Sequence, residues 1–403
     1  MCLTIDDLMA CVGCLKWPQR WRTLYGAAME DFEKNGCPYT DPAYYSALAE
    51  KYGCLPTELD TYRQAAAEIG RSDALSRLLH LVCTALSQEE FNFSDTASFK
   101  LPMPPDAAPW LARDMLPGLA LCSQIPRCAQ RLRARNLPES VIKRVMEKTE
   151  KSVTDFRNRT GVPGYDLLDW NQKLIAGTLF PMGRLELDIF QPFLGDAWVF
   201  RSTGGKTAAL AHNLPVHRSG MALGARHFED PEGSWIADVR ETEAYWEGYP
   251  FDEKGFVQKQ PLRLDKARWK KVLAKGDPVV QLHIPSSGRL TEASVTKSLA
   301  QMVEFLSTYY PDYHYKAFAC SSWLLDPVLE ELLGQDSNIV RFSKRFRPLT
   351  RKIHGTSSLF FVFGISGTEA DLSGLPENSR LEKALKQHYL AGKAVYEVNG
   401  YML

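Results

Sequence analysis

No stretch of this chain supplies the roughly 18 consecutive apolar residues of a membrane-spanning helix, so no span is expected. The opening segment MCLTIDDLMACVGCLKW puts Asp6 and Asp7 where a secretory leader is basic, and it lacks a long apolar centre. Neither sign of charge is in excess: 48 Lys and Arg balance 48 Asp and Glu over 403 residues. That balance argues against a nucleic-acid surface or a polybasic membrane patch. Histidines number 8, and none stands three or four residues from another, which removes the usual helical pair of metal ligands. Eight of the nine cysteines precede residue 129 and the ninth is Cys320. An odd, irregular set makes a poor disulfide framework and fits a reducing compartment, so a cytoplasmic location is expected. Cys11 and Cys14 form a CxxC without a second pair at zinc spacing, and no metal site is expected. Internal repeats and low-complexity tracts are absent as well.

What is present is an ordinary globular mixture, 45% hydrophobic and 24% charged, long enough for two domains. The first part is helical in pattern. DPAYYSALAEKYG, TELDTYRQAAAEIGRSDALSRLLHLVCTALSQEEFNF and PESVIKRVMEKTEKSVTDFRNR space apolar residues by three and four, with Leu75, Leu78, Leu79, Val82 and Leu86 as one stripe. LPMPPDAAPW breaks the pattern with four prolines and reads as a loop or crossover. From about Gly183 the period shortens. RLELDIF, AWVFRS, TAALAH, GMALGARHF and SWIADVRETEAYW are strand candidates. Strand PVVQLHI then precedes helix ASVTKSLAQMVEFLSTYY, and strand YKAFACSSWLL precedes helix DPVLEELLG. SNIVRFSKRF and SLFFVFGI read as two further strands before a last helix, RLEKALKQHYLAG. The expected class is α+β, with a helical domain over 1–170 and a mixed-sheet domain over 171–403.

Four motifs bear on chemistry. STGGKTAAL ends like a nucleotide P-loop, but Phe200 stands where its first glycine belongs and a proline soon follows, so a Gly-Gly turn is expected. VVQLHIPSSGRLTEASV is a strand-to-helix junction. Alternation puts Val280, Leu282 and Ile284 on one face and Gln281 and His283 on the other, and Pro285 ends the ladder. Ser286, Ser287 and Gly288 are small enough for backbone to approach an anion, the helix start aims N–H groups there, and Arg289 adds a fork-shaped cation. The same spacing also fits a plain turn capped by Thr291 or Ser294. In FACSSWLLDP, Cys320 is either a buried thiol or a nucleophile, and Asp326 suits a helix N-cap. In VRETEAYWEGYPFD, strand alternation gathers Glu241, Glu243 and Tyr245 on one face, apt for taking a proton or simply solvated.

The segment GDPVVQLHIPSSGRLTEASVTKSLAQMVEFLSTYYPDY, followed by CSSWLLDPVLEELLGQDSNIVRF and preceded by GRLELDIF, resembles a family of bacterial acyltransferase-like proteins. These carry an N-terminal helical acyltransferase-associated domain before a GNAT-like C-terminal domain. The matching motifs run roughly from Gly183 to Phe346, with weaker similarity in the helical half. The resemblance implies two central parallel strands, PVVQLHI and YKAFACSSWLL, that splay to admit the pantetheine arm of acyl-CoA, acetyl-CoA by default. It places cofactor contacts at Leu282, Ile284, Cys320 and Ser321, and the pyrophosphate on Ser286, Ser287, Gly288, Arg289 and Leu290. It further implies direct attack by a small-molecule or peptide amine, oxyanion stabilisation by N–H groups near Leu282 to Ile284, and a base among Glu243, His283 and Glu241. Two departures stand out. SSGRLT lacks the family's glycine frame, and DPVLEELLG lacks the tyrosine that commonly protonates the thiolate. They keep open a non-catalytic scaffold that retains the fold, and a thiol hydrolase built on Cys320 is a third possibility.

Overall fold

Apolar residues spaced by three and four cannot be buried on one side of anything but a helix, and the N-terminal half folds accordingly. A computed structural model of the protein describes residues 4–14, 17–88, 110–286, 288–349, 356–365 and 371–403. Two compact units result, Met1–Pro181 and Met182–Leu403, whereas the composition shift places a boundary after residue 170.

The described residues of the first unit form nine α-helices: Ile5–Cys11, Trp21–Asn35, Pro42–Tyr52, Leu59–Gly70, Asp73–Leu86, Leu111–Cys122, Ile125–Ala134, Glu139–Thr160 and Leu168–Ala176. In Asp73–Leu86 the Ser72 side chain accepts the Leu75 N–H, and the whole leucine-valine stripe is buried. Each such side chain contributes about 1.5–3 kcal/mol of transfer free energy. Two buried carboxylates are satisfied at long range: Glu58 accepts from Arg157 Nη2 at 2.7 Å, and Glu150 accepts the Thr57 N–H at 2.7 Å. Most of LPMPPDAAPW lies outside the described residues. Among the described residues, no helix is long and apolar enough to cross a membrane.

The division between units falls within β1 (Leu179–Met182). There follow β2 (Leu185–Pro192), β3 (Ala197–Ser202), β4 (Thr207–Ala211), β5 (Leu214–Val216) and β6 (Trp235–Ala237). Next come β7 (Arg240–Glu241), β8 (Tyr245–Gly248), β9 (Leu262–Asp265), β10 (Trp269–Ala274) and β11 (Pro278–His283). The last three are β12 (Phe318–Ser322), β13 (Arg347–Leu349) and β14 (Val398–Met402). Wholly within the second unit, a mixed sheet runs β2-β11-β12-β14-β13, in which only β11 and β12 are parallel. The smaller antiparallel sheets are β10-β3-β4, β7-β8-β9 and β5-β6. Val279, Ala319 and Tyr401 from the main sheet and Val199 and Leu273 from β3 and β10 share one buried cluster.

Several sequence expectations change here. STGGKTAAL is the expected turn, with Gly205 at φ 79° between β3 and β4. GMALGARHF is not a strand: Gly220, Gly224 and His227 all have positive φ and coil it. SWIADVRETEAYW divides into β6, β7 and β8, and YKAFACSSWLL stops at Ser322, where a 3₁₀ turn over Trp323–Leu325 begins. SNIVRFSKRF contains the helix Asn338–Ser343 instead of a strand. Its β-branched residues are overruled by burial of Val340 in a cluster with Trp323, Leu329, Leu359 and Leu385. SLFFVFGI forms the helix Ser357–Phe363, closed by Gly364 at φ 72°. An unbroken apolar run has no period by which strand and buried helix differ. The C-terminal strand β14, which the sequence pattern does not announce, fills the sheet between β12 and β13.

Asp326 sits where its sequence position suggests, accepting the Val328 N–H (2.9 Å) at the start of helix Val328–Leu333 and the Tyr396 N–H (2.6 Å). Burial raises its pKa from 3.8 to about 6, against those two hydrogen bonds. Relative to the unfolded chain, the folded state therefore binds this proton more tightly, although the group is still mostly ionised at neutral pH. The resulting stabilisation is complete below about pH 4 and is lost as pH rises through 6. Asp326→Asn is expected to flatten the stability change between pH 4 and 7 by roughly 2–3 kcal/mol, measured by urea unfolding. Equal slopes in the two proteins would rule this out.

Candidate active site

The geometry of the site begins with a register shift. β11 and β2 are antiparallel, with Val279 opposite Gln191 but Gln281 opposite Asp188 and His283 opposite Glu186. Two residues on β11 thus span three on β2, a bulge that includes Phe190 at φ 61°. Without the extra residue, Leu187 and Ile189 would face Gln281 and His283, because a one-residue slip turns a strand over. With it, Glu186 and Asp188 share the face of Gln281 and His283. The bulge is clamped from outside: Phe190 packs edge-on to Tyr313 (4.8 Å) and Tyr310 (5.9 Å), and the Tyr313 hydroxyl donates to the Val279 carbonyl at 2.5 Å.

On this face the sheet changes character along its length. The Val279 end is apolar, whereas the other end carries Glu186, Asp188, Gln281, His283, Ser321 and Asn399. His283 Nε2 lies 3.0 Å from Asp188 Oδ2. Asp188 has no solvent exposure, and the imidazole keeps 19% of its own. A carboxylate withdrawn completely from water needs charged or hydrogen-bonding partners, and here it orients and supports an imidazole that still reaches solvent. Ser321 Oγ donates to Asn399 Oδ1 at 3.0 Å.

The two parallel strands also separate here. They pair from Val280 with Phe318 to Leu282 with Cys320 and no further. Beyond that point β11 follows β2, while β12 follows β14 through Ser321 with Asn399 and Ser322 with Val398. The Val280 N–H donates toward β12, to Ala317 O at 3.0 Å. Backbone alternation turns the Leu282 N–H the same way, toward β12, and β11 ends one residue later at His283.

After β11 the chain turns through Gly288 (φ 74°) into helix Glu292–Tyr309. Thr291 is its cap, accepting the Ser294 N–H, so the sequence alternative of Ser294 is set aside. Among the described residues, the N–H groups of Gly288, Arg289 and Leu290 have no acceptor. Ser286 and Arg289 are exposed, Leu290 is buried, and Ser287 lies outside the described residues. Two further arginines support the junction. Arg184 Nη1 donates to Pro285 O (2.9 Å), and its own N–H donates to Ser298 Oγ (2.8 Å). Arg345 Nη2 donates to Thr296 Oγ1 (2.8 Å) in the first turns of the helix. Gly183 must be glycine here: at φ 63°, a Cβ would stand 2.8 Å from Ser298 Oγ.

The other expected residues are not brought together. Glu241 and Glu243 do not share a strand face, because Thr242 to Ala244 form the hairpin turn, with the Thr242 hydroxyl donating to Tyr245 O. They belong to the β7-β8-β9 sheet, whereas His283 belongs to the main one. Glu241 is paired with Lys266 at 2.7 Å, which holds its carboxyl below the usual range, and Glu243 is exposed. Cys320 is 2% exposed, inside the sheet between Leu282 and Gly400, a poor position for an attacking thiol. Leu282 is buried and Ile284 half-buried at the parting of the strands. Asp188, Glu186, Asn399 and Arg184 are the residues that motif analysis passes over. The alternation of Glu186 and Asp188 in RLELDIF was their signal. Among the described residues, no group of three or more potential metal ligands occurs.

The sequence profile of the GNAT-like C-terminal domain family matches residues 179–402. No curated protein sequence matches the chain. Among solved structures, it is similar to an acyltransferase in complex with decanoyl-CoA and teicoplanin, with a TM-score of 0.62 and 18% identity over 98% of each chain. It is similar also to an acyltransferase in complex with CoA and 10C-teicoplanin, at TM-score 0.63, 18% identity and 98% of each chain. A third, an acyltransferase in complex with decanoyl-CoA, covers 89% of this chain and 86% of its own at TM-score 0.56 and 20% identity.

The His283–Asp188 pair can be weighed directly. A double-mutant cycle with His283→Ala and Asp188→Asn is expected to give a coupling energy of about 1.5–3 kcal/mol in urea unfolding. A coupling near zero would mean that the contact is incidental.

Proposed function

Since the chain belongs to the GNAT-like C-terminal domain family, we propose that it is a CoA-dependent N-acyltransferase acting on a small-molecule or peptide amine. One observation carries this: an imidazole held by a buried carboxylate at the place where two parallel strands part. The structurally similar acyltransferases carry acyl-CoA or CoA, which supports acyl-CoA as the donor here.

In this reading the acyl arm enters between β11 and β12, past Leu282, Ile284, Cys320 and Ser321. Its phosphates lie over Ser286 to Leu290, with Arg289 supplying a formal charge and the helix N-terminus its dipole. The amine nitrogen bonds to the thioester carbonyl carbon, and the carbon–sulfur bond breaks, releasing CoA as thiolate. The amine proton passes to His283, whose imidazolium is stabilised by Asp188. Backbone N–H groups near Leu282 to Ile284 serve the developing oxyanion. His283 thereby takes first place as base, ahead of Glu243 and Glu241, because its pairing and half-buried position suit proton transfer and theirs suit a solvated surface.

The single glycine in SSGRL and the absence of tyrosine from Val328–Leu333 favour the scaffold alternative, so the test must separate the two. Acetyl-CoA and decanoyl-CoA are titrated into the protein by calorimetry. Binding is expected, weakened about tenfold or more by Arg289→Ala, as for a lost charge-assisted hydrogen bond of about 1.5–3 kcal/mol. No binding of either donor would overturn the assignment. Release of CoA in an amine screen is expected to fall about 10²–10⁴-fold in His283→Ala with donor affinity kept. Tight donor binding without turnover of any amine would instead support the scaffold.

A further inference from the structure

A separate cavity of about 340 Å³ lies where Met221–Phe228 and Lys254–Phe256 meet Asp326–Glu331 and the segment from His388 to Val398. That volume is within the range of small-molecule sites. Neither His283 nor any of its polar neighbours on the sheet face lines it. Met221, Phe228, Phe256, Val328 and Tyr396 supply apolar and aromatic walls, and Phe228 and Tyr396 are in ring contact at 5.7 Å.

Hydrogen bonds decide what the polar wall offers. The Tyr396 hydroxyl has one proton and donates it to Arg226 O at 3.1 Å. His227 Nδ1, 3.2 Å from the same hydroxyl, must then be the donor, which leaves the lone pair of a neutral ring on Nε2. His388 Nε2, 3.2 Å from Ala394 O, must likewise donate, so its Nδ1 is the acceptor. His227 is also held at φ 67°, in a region that side-chain-bearing residues rarely occupy. Of the charged groups that line it, three are carboxylates, Asp326, Glu331 and Glu397, and two are lysines, Lys254 and Lys393; Asp326 already accepts two backbone N–H groups and Glu397 the Ser357 hydroxyl. Lys254 is committed to Glu331 at 3.2 Å.

Aromatic faces, imidazole acceptors and a surplus of carboxylate together describe a host for an organic cation. We propose that this cavity binds a small apolar amine, held as ammonium by His227, His388 and the surrounding carboxylates and aromatic rings. An anion of equal size would meet the carboxylates, and a hydrocarbon would make no use of the imidazole acceptors. The site is distinct from the reacting centre proposed above and stands whether or not that assignment does.

The test uses 2-phenylethylamine and 3-phenylpropionate as probes of like size and opposite charge, titrated into the full chain by calorimetry. The amine is expected to bind at least tenfold more tightly than the acid. Val328→Trp, which fills the cavity, is expected to abolish amine binding, and Glu331→Lys at the exposed rim to weaken it tenfold or more without disturbing the fold. His283→Ala is expected to leave it unchanged. Equal or tighter binding of the acid, no binding of the amine, or loss of amine binding in His283→Ala would each overturn the proposal.

Discussion

One extra residue in β2 sets which side chains lie beside His283 on the face of the main sheet. The bulge at Phe190 shifts β2 against β11, so that the acidic pair Glu186 and Asp188, and not Leu187 and Ile189, lies beside His283. Strand side chains alternate, and a shift of one residue exchanges an apolar face for a charged one. The left-handed backbone of Phe190 is tolerated because Tyr310 and Tyr313 pack on its ring and Tyr313 ties the opposite strand. Strain in the backbone is thus balanced by contacts outside the sheet, and its product is a fully buried carboxylate beneath an accessible imidazole.

The same sheet supplies both halves of the proposed reaction. Toward its apolar end, side chains from two sheets interlock and fix the strands. Toward its polar end, the pairing of β11 with β12 stops after Leu282 and Cys320, among polar side chains. The helix that follows β11 begins beyond that point. Arg184 and Arg345 brace it, one through the Pro285 carbonyl and the other through Thr296, while Arg289 remains exposed. Positioning of this kind is the main resource of direct acyl transfer, which needs two reactants held in line and little covalent help from the protein.

Much was legible in the sequence, for identifiable reasons. The helical half announced itself through spacing, as in Leu75 to Leu86, because a helix with one apolar stripe has no other way to be buried. The junction from PVVQLHI through SSGRL to the long helix was legible too, since Pro285 must end a ladder and Thr291 is a good cap. So were the Gly-Gly turn in STGGKTAAL and the place of Asp326 just before a helix, where its side chain accepts the Val328 N–H although Pro327 is the N-cap. The runs SNIVRF and SLFFVF were misread because short apolar stretches carry no period, and their helices are decided by burial against Leu329, Leu385 and Tyr389.

The sequence by itself determined the class of fold, the two-part organisation and the place where a ligand-binding loop could form. These follow from local periodicity and from residues with fixed backbone habits. Which carboxylate serves His283 was decided only by tertiary structure. Asp188 is 95 residues from His283 in the chain, and a bulge invisible to local pattern brings them to 3.0 Å. The nearer carboxylates of VRETEAYW do not share the strand face expected of them, because a hairpin turn, held by the Thr242 hydroxyl, separates them. Spacing records what one strand or helix can do alone, whereas a site depends on which strands lie side by side and in what register.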